Sequence, residues 1–255
     1  MRALATLVLL LGFTARVHAF ESVAVGVENY HWSEYDSSGA TLLTESGPRL
    51  IADYQQFSED SDGFSLFSAR SYFGDVAYDG ALLDGTPYSA NTGYYGLRIE
   101  QSRQFKLASN PLRADLGLGA EWWLRILDKG GSAGYAENYL TLYSRAGLAM
   151  GRLQSGWYGK AGVQYPLTVN ETVIGVRDLS YSYDSLQLKP KPSVSLYAEI
   201  GYAYPSWAWR LYYGGYRFEA SDPVAATSGG LATGNHFYQP HSVMDRIGLS
   251  FSRQL

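Results

Sequence analysis

The chain has 255 residues, of which 15% are aromatic, with 28 glycines, 22 tyrosines, no cysteine and a formal net charge of −4. This acidic balance excludes the basic surface that a nucleic-acid-binding protein needs, and the lack of cysteine excludes a disulfide framework. No linker or low-complexity tract interrupts the sequence, which predicts a single folded domain.

The first residues have the features of a secretory signal peptide. Arg2 supplies the positive charge, residues 4–13 are apolar, and Val17 and Ala19 give the small-x-small form of a cleavage site. The apolar run is much shorter than the roughly 20 residues that a transmembrane helix needs. We therefore predict a signal peptide over residues 1–19 and a mature domain over residues 20–255, whose net charge is about −6 once Arg2 and Arg16 are removed.

Segment 113–125 alternates between an apolar and a charged face. Leu116, Leu118 and Trp122 share one parity, and Asp115 and Glu121 share the other. A tilted strand of about 9–11 residues crosses a membrane, with its apolar face on lipid and its charged face inside a closed barrel. Ten segments alternate in this way: 22–34, 48–58, 64–78, 93–106, 112–127, 138–151, 156–168, 193–204, 207–220 and 242–253.

The connections between these segments alternate between short and long. The short ones are 59–63, 108–111, 152–155 and 205–206, and the long ones are 35–47, 79–92, 128–137, 169–192 and 221–241. Outer-membrane barrels have short periplasmic turns and long extracellular loops. The predicted fold is therefore all-β: a ten-stranded antiparallel transmembrane barrel, integral to a bacterial outer membrane. Ile247, Leu249 and Phe251 alternate in the last strand, which resembles the C-terminal recognition strand of such barrels.

The polar parity of each strand predicts which charges line the lumen. The predicted lumen acids are Glu28, Asp53, Glu100, Asp115, Glu121 and Glu199, and the predicted lumen bases are Arg49, Arg70, Arg98, Arg113, Arg125, Arg145, Lys160, Arg210 and Arg246. This set predicts a net basic interior. Two interpretations stay open, a plug of paired charges and a narrow pore that favours anions. Tyrosines of the same parity favour the plug, since a small barrel is filled by its own side chains.

The extracellular rim holds the remaining candidates for chemistry. They are His31, Glu34, Glu45, Asp75, Asp79, His236 and His241. The first three strands are predicted to bring the four acids close to Arg49. This arrangement is either an aromatic girdle with ion pairs or a site for a divalent cation or a lipopolysaccharide head group.

A ten-stranded barrel with outward loops resembles the omptin family of outer-membrane proteases. The resemblance implies a peptidase site with a pair of acids on one side of the rim and an Asp–His pair on the other. The stretch comparable to the omptin Asp-x-Asp element places Asp75 and Asp79 four residues apart, and the stretch comparable to its Asp-x-His element, 176–184, contains no histidine. His236 and His241 would serve as bases only if the site were displaced, and no catalytic residue is assigned.

The sequence thus favours a non-enzymatic barrel with a side-chain-filled lumen, acting in envelope structure or in surface recognition through its loops. A narrow anion-preferring channel and an omptin-like protease with a displaced site are the alternatives. No cofactor, no metal and no nucleic-acid partner are expected. The expected contacts are outer-membrane lipid and lipopolysaccharide, with an extracellular ligand at the loops, and the expected state is a monomer.

Overall fold

The computed structural model describes residues 18–61, 63–81, 85–107, 111–127, 134–152, 155–177 and 181–255. Most of the predicted signal peptide, residues 1–17, lies outside the described residues. In the described part of the chain, no helix is long and apolar enough to cross a membrane.

The described residues form fourteen strands, of which ten close into an antiparallel barrel. The barrel consists of β1–β7, β10, β11 and β14; β14 pairs with both β1 and β11, and β10 pairs with both β7 and β11. The predicted fold class is confirmed. The strands are β1 (His18–Tyr35), β2 (Thr41–Asp60), β3 (Gly63–Ala81), β4 (Pro87–Lys106), β5 (Arg113–Leu127), β6 (Ala136–Arg152), β7 (Ser155–Ile174), β8 (Leu186–Leu188), β9 (Lys191–Ser193), β10 (Ser195–Ala203), β11 (Trp207–Glu219), β12 (Val224–Ser228), β13 (Leu231–Phe237) and β14 (His241–Gln254).

Several barrel strands extend further on the long-loop side than the sequence predicted. The ladder between β1 and β2 continues through Trp32↔Glu45 and Glu34↔Leu43, inside the stretch predicted as the loop 35–47. β7 likewise continues to Ile174. In these extensions polar residues occur on both faces of the strand, so the alternation of apolar and polar residues is weaker than in the membrane-facing part of each strand.

The exposed outer face of the strands is apolar where the barrel crosses the membrane. In β5, Leu116 is 50% exposed and Leu118 is 41% exposed, whereas Asp115, Glu121 and Trp123 are buried. The predicted parity of this strand is therefore confirmed. Closure satisfies the backbone hydrogen bonds of the sheet and the apolar belt contacts lipid, as a membrane-spanning sheet requires.

Inward-facing tyrosines lie flat over glycines of the neighbouring strand. Such cross-strand pairs are Tyr72 with Gly96, Tyr143 with Gly119, Tyr158 with Gly201 and Tyr212 with Gly248. A Cβ added at Gly119 would lie 2.3 Å from the Tyr143 ring, and one added at Gly248 would lie 2.3 Å from the Tyr212 ring. Glycine is therefore required there by the close packing of each tyrosine ring against the neighbouring strand.

Candidate functional site

Charged residues meet across the middle of the lumen. The Glu121 carboxylate accepts two hydrogen bonds from Arg246, at 2.5 and 2.8 Å, and further ones from the Tyr72 and Tyr216 hydroxyls at 2.9 and 2.8 Å. Glu28 accepts from Arg49 at 2.5 Å, and Tyr30 lies 3.8 Å from that guanidinium. These are bidentate or multiply bonded charge pairs, which are the stronger class of hydrogen bond.

A second group of charges lies nearer the short turns. We call it the lower chamber, and it consists of Asp53, Arg70, Arg98, Glu100, Arg145, Lys160, Glu199 and Arg210. Asp53 lies between Arg70, at 2.6 Å, and Arg210. Glu100 accepts from Arg145 at 2.6 Å and from Arg98 at 2.9 Å. Arg70 and Arg98 keep 14% of their side-chain surface, so solvent reaches part of this chamber.

Two of the predicted lumen charges, Asp115 and Arg113, lie apart from both groups. The Tyr197 hydroxyl donates to Asp115 at 3.0 Å, and Arg113 donates to Gln104 at 3.0 Å. The structure therefore places all of the predicted lumen charges inside the barrel and pairs them across strands.

Four carboxylates surround a single arginine near the long-loop end of the lumen. We call Glu34, Glu45, Glu137, Glu171 and Arg125 the upper cluster. Arg125 donates to Glu137 at 2.6 Å, to Glu45 at 3.0 Å and to Glu34 at 3.3 Å. Glu171 is completely buried, and neither of its carboxylate oxygens has a hydrogen-bond partner.

The upper cluster corrects two predictions. The sequence predicted Glu34 and Glu45 at the rim. It did not predict Glu137 and Glu171 in the lumen, because residues 128–137 and 169–192 read as loops beyond the strand ends. With these four carboxylates added to the six predicted acids, ten acids face the nine predicted bases among the lumen residues that the structure describes, so the prediction of a net basic interior was wrong. The alternation that would have located them is weak, because polar residues occupy both faces of the strands next to Glu137 and Glu171.

The predicted meeting of rim acids with Arg49 was also wrong. Arg49 pairs with Glu28, while Asp75 and Asp79 lie exposed on the outer face of β3. Successive side chains of a strand point alternately into and out of the barrel, and Asp75 and Asp79 both occupy outward positions.

The rim histidines do not reach the upper cluster. His31 lies on the outer parity of β1 and bonds with Ser33 at 2.9 Å. His236 is exposed on β13, and the ring of His241 packs against Tyr35 with centroids 5.6 Å apart. Within the described ranges, no group of three or more His, Cys, Asp or Glu residues is arranged to hold a metal ion.

An aromatic layer crosses the lumen between the Glu121 level and the upper cluster. Trp123 stacks on Tyr139 at 4.6 Å and on Tyr216 at 6.0 Å, and Trp32 lies 5.9 Å from Tyr139. All four side chains are completely buried. They come from β1, β5, β6 and β11, so the layer reaches across the bore rather than lining one wall.

The longest loops form an ordered structure above the barrel. β8 pairs with the upper end of β7, and β9 pairs with the upper end of β11, so residues 186–193 continue the barrel wall along the line of β10. The last loop contains the β12–β13 hairpin. Val173, Val176, Tyr183, Leu186, Leu188 and Ala226 form a small buried core between these loops. We call this assembly of β8, β9, β12 and β13 the extracellular platform.

Asp184 fastens the hairpin to the preceding loop. Its carboxylate accepts from the Thr227 hydroxyl at 2.6 Å and from the backbone amides of Gly229 and Gly230 at 3.1 and 2.9 Å. Both glycines have positive φ, at 59° and 80°, as a two-residue hairpin turn requires. The hydrogen bonds from Thr227 and from these amides hold the pKa of Asp184 below its usual range.

No protein-family model and no curated protein matches the chain. Among solved structures, it is similar to the outer membrane protease OmpT from Escherichia coli, with 9% sequence identity, a TM-score of 0.55, and coverage of 94% of this chain and 97% of that chain. It also matches the translocator domain of the autotransporter NalP from Neisseria meningitidis, with 10% identity, a TM-score of 0.47, and coverage of 98% of this chain and 91% of that chain. An outer membrane channel from Pseudomonas putida F1 matches with 11% identity, a TM-score of 0.44, and coverage of 95% and 97%.

At 9% identity, the likeness to OmpT shows a shared fold alone. The fold is that of an integral outer-membrane barrel, and the chain is placed in the outer membrane.

Proposed function

We propose that this protein is a non-conducting outer-membrane barrel that acts through its extracellular platform, in surface recognition. The observation that carries the proposal is the aromatic layer, which crosses the bore between two groups of paired charges. A barrel of this size is only slightly wider than the eight-stranded size that side chains fill. Ion flow would require the layer and the pairs above and below it to separate.

The platform supports the recognition part of the proposal. Its buried core and the Asp184 contacts hold the loops against one another, and a preordered surface loses less entropy when it binds. Leu231 is 76% exposed and Tyr238 is 47% exposed, so the platform also presents apolar and aromatic surface to the outside. Loops of this kind on a rigid scaffold are common binding surfaces.

Liposome swelling tests the non-conducting part. Purified, refolded protein is reconstituted beside a general porin, and heat-modifiable gel migration establishes that both are folded. We expect no uptake of arabinose above that of protein-free liposomes. Swelling at a rate comparable to that of the porin would contradict the proposal and would favour the channel alternative.

The recognition part is tested by comparing the wild type with Asp184→Ala in binding assays against lipopolysaccharide, capsular polysaccharides and extracellular-matrix proteins. We expect one of these ligands to bind the wild type and to lose at least tenfold in affinity for Asp184→Ala. Absence of saturable binding across all three classes, or binding that the substitution leaves unchanged, would contradict recognition through the platform.

A further inference from the structure

The lower chamber encloses a cavity of about 60 Å³. Six basic side chains line it, from Arg70, Arg98, Arg145, Lys160, Arg210 and Arg246, against three acidic ones, from Asp53, Glu100 and Glu199. Arg246 is already paired with Glu121, so the remaining charges around this space have a positive excess of two. Excess charge of one sign inside a low-dielectric barrel is unfavourable unless a counter-ion is close.

Donors at the cavity remain available after the ion pairs are counted. The Lys160 ammonium lies 3.9 Å from the nearest Glu199 oxygen, and an Arg210 nitrogen lies 3.8 Å from the same oxygen. Both distances are too long for hydrogen bonds. The buried Nε of Arg145 has no hydrogen-bond partner. A buried donor without a partner is costly, which favours a ligand that accepts hydrogen bonds.

We propose that this cavity binds a small inorganic oxyanion of the size of phosphate. A buried water needs about 10–15 Å³ of such volume, so the cavity has room for about four to six non-hydrogen atoms. A tetrahedral oxyanion has five, and its oxygens accept from donors on several sides. Lys160, Arg210 and Arg145 all line this space, from β7, β11 and β6, within the run of adjacent strands β6, β7, β10 and β11.

The proposed oxyanion site does not depend on the proposed function, because a non-conducting barrel is compatible with an occupied and with an empty cavity. It differs from an anion-conducting pore as well, because the ligand is bound at one site below the aromatic layer and does not need to pass it.

Isothermal titration of inorganic phosphate into the detergent-solubilised full chain tests the proposal, at an ionic strength held constant with sodium gluconate. We expect saturable binding at one site per chain, weakened at least tenfold by Lys160→Met. The matched control is Lys191→Met, which removes a lysine whose side chain is 56% exposed and paired with Asp222 outside the lumen, and which should bind phosphate like the wild type.

A second measurement covers the case in which Lys160→Met does not fold. Ligand that binds the native state raises its unfolding temperature, so phosphate should raise that of the wild type in a saturable way while gluconate does not. The absence of both a binding signal and a thermal shift in the wild type overturns the proposal. Equal weakening by Lys191→Met, or equally tight binding of chloride, also overturns the assignment of a lumen oxyanion site.

Discussion

The two ends of the lumen differ in how their buried charges are balanced: acids are in excess at one end and cations at the other. In the upper cluster, three carboxylates share the guanidinium of Arg125 and a fourth, that of Glu171, is not bonded to it, and Glu45 and Glu171 are completely buried. In the lower chamber, cations outnumber acids, and their side chains keep part of their surface. In the described residues the upper acids therefore have one cationic partner, whereas the lower charges have several ionic partners and access to solvent.

This difference shows that inward parity alone does not determine what a charge does in a small barrel. An arginine in the lower chamber can lose one partner and keep another, because Asp53 and Glu199 both face Arg210. Arg125 has no such substitute, since it is the only cation paired with Glu34, Glu45 and Glu137 in the described part of the chain, and their other donors are neutral groups such as Trp32, Thr92 and Tyr139.

The largest expected effect is that of Arg125→Met. Removing one member of a buried ion pair costs about 3–5 kcal/mol, and here three bonded carboxylates lose the same partner. The unfolding free energy in detergent with urea measures the loss. The matched control is Arg103→Met, whose pair with Asp60 is 27% and 32% exposed, and which should cost less than about 1 kcal/mol. Equal losses for the two variants would remove the distinction between the buried and the exposed pair.

In the lower chamber, we expect Asp53→Asn to cost about 2–3 kcal/mol, less than Arg125→Met. Hydrogen bonds to charged groups contribute about 1.5–3 kcal/mol, and Arg210 retains Glu199 nearby while solvent reaches Arg70. Urea unfolding again measures the effect. If Asp53→Asn destabilised the barrel more than Arg125→Met, the lower charges would be the less replaceable ones.

Two inward-facing glutamates should change the stability of the barrel in opposite directions when each is replaced by glutamine. Glu171→Gln is expected to stabilise the protein by about 1 kcal/mol, because it removes a buried carboxylate that forms no ion pair with a cation in the described residues and lies beside Glu137 and Glu34. Glu100→Gln should destabilise it, since Glu100 accepts from Arg98, Arg145 and Tyr143. Thermal unfolding of both variants checks the pair, and a destabilised Glu171→Gln protein would show that this carboxylate is a required member of the cluster.

The smallest expected effect on the whole barrel comes from Asp184→Asn in the platform. The bonds to Asp184 lie above the membrane, so we expect the variant to unfold like the wild type but to be cut faster by chymotrypsin, which can cleave after Leu231, Phe237 or Tyr238, at pH 7. Asp222→Asn, at a side chain that is 84% exposed, is the matched control and should be cut like the wild type.

The pH dependence of this contact follows from the lowered pKa of Asp184. A depressed carboxyl pKa stabilises the folded arrangement above the usual aspartate pKa of 3.8, and this contribution is lost as the pH falls through the lowered value. The wild-type loops should therefore be protected at pH 7 and lose protection in acid. A difference in pepsin cleavage between the wild type and Asp184→Asn that does not shrink as the pH is lowered from 4 to 2 would contradict the role given to this carboxylate.

Much of the barrel could be predicted from residue alternation. A period of two identified the lipid face of Leu116 and Leu118 and the inward position of Asp53 and Arg210, since side-chain direction in a strand needs no knowledge of the partner strand. The pairing across the bore could not be predicted in this way. The contact between Tyr72 and Glu121 depends on barrel register and strand tilt, which a single strand does not encode.

The upper cluster and the platform were missed for different reasons. Glu137 and Glu171 lie where polar side chains on both faces obscure the alternation, so their strands were ended too early. Asp184 acts on Thr227 through a contact between two loops, and no local pattern predicts that meeting. Gly229 and Gly230 between two short alternating stretches were an available signal for the hairpin itself.

Single-channel recording in planar bilayers tests the central claim, a lumen closed by paired charges and an aromatic layer, most directly. Folded protein, established by its heat-modifiable migration, should insert and give no discrete current steps under applied voltage, while a porin inserted by the same procedure conducts. Reproducible steps from the wild-type protein would contradict a closed lumen, whatever the outcome of the stability measurements.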